Sequence, residues 1–283
     1  EYSVYDFKNY RYQLGSVQEV GNIYPKYYLK AFYDGMTAEG DAMPISLIRS
    51  AWAGSAKYGA LVWSGDIVSS FECFQRQVQA GLNMAIAGIP WWTTDIGGFH
   101  GARTDDPDFH RLYIRWFEYG CFCPVMRLHG NRNPQEGYGA EQIGSGSDNE
   151  IWSFGDKAYE ISKKYIFLRE RLRDYIRAQM KKAHEDGTPV MRPVFYDFPA
   201  DQESWNVEDA YLFGPDLYVA PVMEDHVTER EVYLPDGTAW FNAWTGEKYE
   251  GGQNVTVAAP LDTIPVFVKE GADAEKLLNI FSE

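Results

Sequence analysis

At 283 residues the chain is long enough for one large domain or two modest ones. Its 41 acidic residues outnumber 26 basic ones and give a formal charge of -15, which repels phosphate backbones and anionic membranes and argues against both as partners. Aromatic residues make up 16% of it, which points to a large aromatic core or to a cleft for a ligand with apolar and hydroxylated faces, such as a sugar.

The first residues, Glu1-Tyr2-Ser3-Val4, show neither an initiator methionine nor a basic-then-apolar signal pattern, and read as a chain cut into. From residue 45, short apolar runs alternate with helix-period segments, the rhythm of strand-helix units around a parallel sheet. Strands are expected at Ile45 to Trp52, which carries Arg49, and at Ala60 to Trp63, Ile86 to Thr94 and Phe122 to Leu128. Polar residues follow the last three: Gly65-Asp66, Asp95-Ile96-Gly97-Gly98 and His129-Gly130.

A helix after Asp66 is expected to start with a capping box of Ser69 and Glu72 and to close at Gly88, with Phe71, Phe74, Val78 and Leu82 on one face. A second is expected to start at Asp106-Pro107 and end near Gly120. The longest helical pattern lies between Gly155 and Gly187. Beyond about Pro199 come short β-rich runs with turn signals at Pro235-Asp236-Gly237, Thr245-Gly246 and Glu250-Gly251-Gly252. The expected division is a barrel portion over 1–204, a small all-β domain over 205–270, and a linker or the start of a further domain over 271–283.

In a closed parallel barrel the C-terminal ends of the strands share one mouth, so Arg49, Trp63, Asp66, Trp91, Trp92, Asp95 and His129 can meet despite their separation in sequence. Each alone is weak evidence. A strand-end aspartate is as often a turn former as a catalyst, and a lone histidine is more often a satisfied core residue. A buried Arg49 needs a partner, from Asp66, Asp95 or a sugar hydroxyl.

The runs IRSAWAG (48–54), WSGDIVSSFE (63–72), GIPWWTTDIGGFHG (88–101), FCPVMRLHG (122–130), GTPVMRPVFYDFP (187–199), LFGPDLYVAPV (212–222) and PLDTIPVFVKEG (260–271) resemble, in order, the C-terminal half of glycoside hydrolase family 31. The resemblance implies the C-terminal half of a (β/α)8 TIM barrel followed by a sandwich-type β domain. It implies a retaining α-glycosidase acting on terminal α-glucosides or α-xylosides, with no cofactor and no metal. Asp66 matches the general acid/base; Arg49, Trp63, Asp95 and His129 match positions lining the terminal-sugar subsite, and Trp91 and Trp92 match aromatic positions nearby. A carboxyl group beside Trp63 is then expected to be partly desolvated and so protonated. The wording ALVWSGD and PWWTTDIGGF is closer to bacterial α-xylosidases than to starch-type α-glucosidases.

The nucleophilic aspartate of the family ends the fourth barrel strand, which this resemblance puts upstream of residue 1. The isolated chain is therefore expected to have little or no activity. The expected partner is an α-linked oligosaccharide or glycoside, with homo-oligomer formation left open. Two rivals are a non-catalytic sugar-binding or scaffold protein and a metal-dependent barrel hydrolase, the latter disfavoured because the five histidines show no metal-ligand spacing. Localisation is left open, with a cytoplasmic location favoured by three cysteines without a disulfide pattern and by the missing signal pattern.

Overall fold

The computed structural model describes residues 9–138, 143–271 and 273–282; the expectation at Glu1 to Val4 lies outside them. A small antiparallel pair, β1 (Arg11–Tyr12) and β2 (Gly15–Ser16), leads through α1 (Val17–Val20) to α2 (Tyr24–Ala38). The strand-helix units follow as β3 (Ser46–Ile48), β4 (Ala60–Trp63), α3 (Phe71–Ile86), β5 (Trp92–Thr93) and α4 (Pro107–Cys121). An antiparallel arm of β6 (Arg132–Tyr138) and β7 (Ile143–Ser147) precedes α5 (Gly155–Arg171) and α6 (Arg173–Asp186).

The strands β3, β4 and β5 form a three-stranded parallel sheet in that order, with Ile48 opposite Val62 and Trp63 opposite Thr93. Parallel pairing aligns their C-terminal ends on one edge. Two expected strands are corrected. Ile86 ends α3, because the buried stripe Phe74, Val78, Leu82 and Ala85 carries the helix on until the left-handed Gly88 stops it, and only Trp92–Thr93 pairs as a strand. Phe122 to Leu128 runs beside β5 with two backbone bonds, Val125 N to Trp92 O at 3.2 Å and Ile96 N to Arg127 O at 3.4 Å, but forms no ladder.

The cap of α3 is also displaced by one residue. Ser70, not Ser69, is the extended N-cap, and its Oγ accepts from Cys73 N at 3.1 Å. For α4, Asp106 caps through its side chain and Pro107 occupies the first turn, as the sequence pattern expects. The long helical pattern is divided at Leu172 into α5 and α6.

The β domain contains β8 (Met191–Arg192), α7 (Val194–Asp197), β9 (Tyr211–Phe213), β10 (Leu217–Val219), β11 (Glu229–Leu234), β12 (Ala239–Asn242), β13 (Lys248–Glu250), β14 (Gln253–Ala258) and β15 (Val266–Lys269), and α8 (Ala274–Ser282) follows. Six strands make an antiparallel sheet in the order β13-β12-β15-β10-β9-β8, and β11 pairs with β14. The three turn signals fall between β11 and β12, β12 and β13, and β13 and β14.

Because side chains alternate across a sheet, the six-stranded sheet serves two cores. Tyr211, Phe213, Leu217, Val219, Val266 and Val268 face the main core of α3, α4 and α5. Their neighbours Leu212, Tyr218 and Phe267 face a second core with Val232, Leu234 and Val257 of the small sheet. The sheet thus walls off the barrel portion and fixes α4, whose buried face positions the loops at the sheet edge.

Candidate active site at the sheet edge

Arg49 directly follows β3, and Asp66 lies in the turn just beyond β4. Arg49 Nη2 stands 3.2 Å from Asp66 Oδ2, and the guanidinium carbon lies 6.0 Å from the centre of the half-buried Trp63 ring. Both partners are open, with 63% of the Arg49 side chain and 45% of the Asp66 side chain exposed. Within the residues of this chain, the carboxylate beside Trp63 is half-exposed.

Burial falls instead on Asp95, two residues beyond β5, whose side chain is 0% exposed and bonded to Arg127. Burial pushes its carboxyl above the ordinary range; the Arg127 charge works against this, and the Asp66 charge adds to it. Two carboxylates of one mouth thus sit in opposite environments, one open and one desolvated.

The loop after β4 and the loop after β5 are laced together. Phe99 N and His100 N both donate to Ile67 O, at 2.7 and 3.2 Å, and Ser69 N donates to His100 O at 2.9 Å. His100 Nε2 donates to the backbone carbonyl of Asp66 at 3.1 Å. Gly98, at φ 78°, allows the contact: a Cβ there would lie 2.7 Å from Ser69 N and Cα. The Phe99 ring lies 5.5 Å from that of His129, which is exposed on the same side.

The structure thus gathers Arg49, Trp63 and Asp66 directly, and joins Asp95 and His129 to them through the loop at 95–100. Trp91 and Trp92 are placed elsewhere. Trp92 is 4% exposed and packs on α3, where a Cβ at Gly81 would come within 2.7 Å of its Nε1. Trp91 lines a cavity with Pro44, Ile45, Gly59 and Pro90, at the opposite ends of the strands. Trp92 is turned to the face of the sheet that α3 covers, and Trp91 lies just before β5 begins, so neither stands at the mouth. Arg127, His100 and Arg132 were not singled out from the pattern; the only signal for Arg127 is its place two residues before His129. Among the described residues, no group of three or more His, Cys, Asp or Glu side chains is arranged to hold a metal ion, and no helix is long and apolar enough to cross a membrane.

A parallel sheet with carboxylates and arginines at its C-terminal edge, backed by antiparallel sheets, has the class of architecture of part of a strand-helix barrel followed by a C-terminal β domain. Residues 2–179 match the TIM-barrel domain of glycosyl hydrolases family 31, residues 187–272 match the family's C-terminal domain, and the chain belongs to that family. It is 37% identical over 260 residues to an alpha-xylosidase of Saccharolobus solfataricus, covering 92% of this chain and 34% of the relative. With Alpha-glucosidase 2 of Bacillus thermoamyloliquefaciens it shares 34% identity over 260 residues, covering 90% of this chain and 30% of the relative. The crystal structure of a family 31 alpha-xylosidase from a soil metagenome, complexed with xylose, superposes with a TM-score of 0.94 at 55% identity, covering 98% of this chain and 42% of that one. The chain spans about a third of the length of the curated relatives it matches.

Proposed function

We propose that the full-length protein hydrolyses terminal α-linked glycosides with retention of configuration, α-xylosides ahead of α-glucosides, with Asp66 as general acid/base. The observation that carries this is Asp66 itself, an accessible carboxylate at a strand end, oriented by Arg49 within a family 31 barrel. The preference for xylose draws on the xylose-complexed relative and on the Saccharolobus enzyme.

In the first step Asp66 gives its proton to the glycosidic oxygen as the anomeric carbon bonds to a nucleophilic carboxylate, releasing the aglycone. In the second, Asp66 takes a proton from water as the water oxygen replaces that carboxylate. Retention requires the two carboxyl groups at about 5 to 5.5 Å. The nucleophile is proposed to lie in the part of the family barrel that this chain does not span. Arg49 and His129 hold the hydroxyls of the terminal sugar, and Trp63 supplies an apolar wall. Asp95, held by Arg127, shapes the floor.

The test is hydrolysis of aryl α-xylosides and α-glucosides by the full-length gene product, with the first-formed anomer followed by NMR. Asp66→Ala should lower the rate about 10²- to 10⁴-fold on poor leaving groups and far less on activated ones. Equal losses on both kinds of substrate would remove Asp66 from the acid/base role. Sugar binding without turnover by the unaltered protein would defeat the enzymatic reading.

A further inference from the structure

Arg132, at the start of β6, is 0% exposed, and among the described residues it forms no carboxylate salt bridge. Its guanidinium donates to Gly98 O at 2.7 Å, Ile96 O at 3.1 Å, Ser69 Oγ at 3.3 Å and Asn149 Oδ1 at 2.8 Å, and lies 4.8 Å from the centre of the Phe109 ring. Burial lowers its pKa to about 10, against the attraction of Asp95. Space is cleared for it: a Cβ on Gly130 would lie 2.5 Å from the Arg132 Cζ.

A buried arginine that pins carbonyls is commonly a fold-stabilising device, and Arg169 is one here. It donates to the carbonyls of Cys121, Cys123 and Pro124, away from the sheet-edge loops. The partners of Arg132 differ in kind. Ser69 belongs to the loop that carries Asp66, and Ile96 and Gly98 to the loop that carries Asp95, so one rigid fork spans both.

We propose that Arg132 is a positioning residue that fixes the Asp66 loop against the Asp95 loop and so sets where the acid/base group stands over the substrate. The inference rests on the reading of Asp66 given above. Arg132 touches no substrate; it acts through Ser69 and Gly98. A displacement of about 1 Å at a reacting group can cost about 10²-fold in rate, and a lysine cannot reproduce the fork.

The experiment compares Arg132→Lys with Arg169→Lys in the full-length gene product, by hydrogen exchange and by kinetics. In Arg132→Lys, amide exchange over 64–70 and 95–101 should rise together while α5 and the six-stranded sheet keep their protection. For aryl α-xylosides, the loss in kcat should be about tenfold greater on a poor leaving group than on an activated one, with KM little changed. Arg169→Lys should lower thermal stability without that leaving-group dependence. If Arg132→Lys leaves both loops at wild-type exchange, or lowers both substrates equally as Arg169→Lys does, the proposal is overturned. If the unaltered protein turns over no α-glycoside, the functional reading fails and the exchange measurement alone decides whether Arg132 couples the loops. Should Arg132→Lys not fold, Asn149→Ala removes only the Nε partner and should show the same paired rise in exchange on a smaller scale; no rise would overturn the proposal.

Discussion

Arg49 and Asp66 meet at 3.2 Å across the open edge of the parallel sheet, one immediately after β3 and the other in the turn after β4. Both side chains keep about half or more of their surface in solvent, so the pair is screened and contributes little to folding. In the proposed reaction its place at the mouth gives it a different role, as a charged donor beside the acid/base carboxylate.

Replacing Arg49 by methionine should therefore separate stability from activity. Unfolding free energy should change by no more than about 1 kcal/mol, the ceiling for an exposed pair. Hydrogen bonds from a charged donor to a bound sugar contribute about 1.5 to 3 kcal/mol, so kcat/KM on an α-xyloside should fall roughly 10- to 100-fold. Thermal denaturation and steady-state kinetics of Arg49→Met in the full-length gene product measure both. A large loss of melting temperature, with kcat/KM intact among the folded molecules, would show a structural residue instead.

Gly98 and Gly88 form a natural control for the contact between the two loops. Both hold φ near 78°, but a Cβ at Gly88 meets nothing within 4 Å, whereas one at Gly98 meets the Ser69 backbone at 2.7 Å. Gly88→Ala should show only the backbone cost, about 1 kcal/mol, and leave activity intact. Gly98→Ala should cost about 1 to 3 kcal/mol more and depress turnover, because the loop carrying Asp66 must move. Equal effects of the two substitutions would mean that the loops are not in working contact.

The residue pattern revealed the strand ends better than the strands. Gly65-Asp66 and Asp95-Ile96-Gly97-Gly98 are legible because turns after buried strands need glycine and polar groups, and the parallel sheet then brings them together. Ile86 was legible as apolar but not as helical, since a short apolar run fits either state. Phe122 to Leu128 reads as a strand yet pairs only in part, because pairing depends on neighbours rather than on its own residues. Nothing local separates Trp92 in the core from Trp63 near the mouth; that depends on which face of the sheet meets α3. Arg132 was invisible for a similar reason. Its partners Ser69, Ile96, Gly98 and Asn149 are spread along the chain, and an arginine three residues after a histidine carries no periodic signal.

Glu118 gives the clearest dependence on pH. It lies on the inner face of α4, 0% exposed, with Arg115 Nη1 at 3.2 Å from its Oε2 and Lys164 and Tyr165 of α5 facing it. Arg115 in turn donates to the carbonyls of Val227, Ala259, Pro260 and Thr263, tying α4 to the β domain. Burial pushes the Glu118 carboxyl up to about 8, with Arg115 only partly opposing it. A carboxyl whose folded pKa lies above its unfolded value holds more protons in the folded state, so stability falls as pH rises. Here the contribution is complete below about 4.5, the value in the unfolded chain, and is lost progressively as pH climbs through about 8. Glu118→Gln removes that titration while keeping the shape of the protonated acid. The variant should match the wild type in melting temperature near pH 4 and gain on it steadily up to about pH 8, above which the gap stops growing. Thermal denaturation of the two proteins across that range is the check. A constant gap would mean that Glu118 titrates alike in the folded and the unfolded chain, and a gap that narrows as pH rises would reverse the sign and show Arg115 to be the stronger influence.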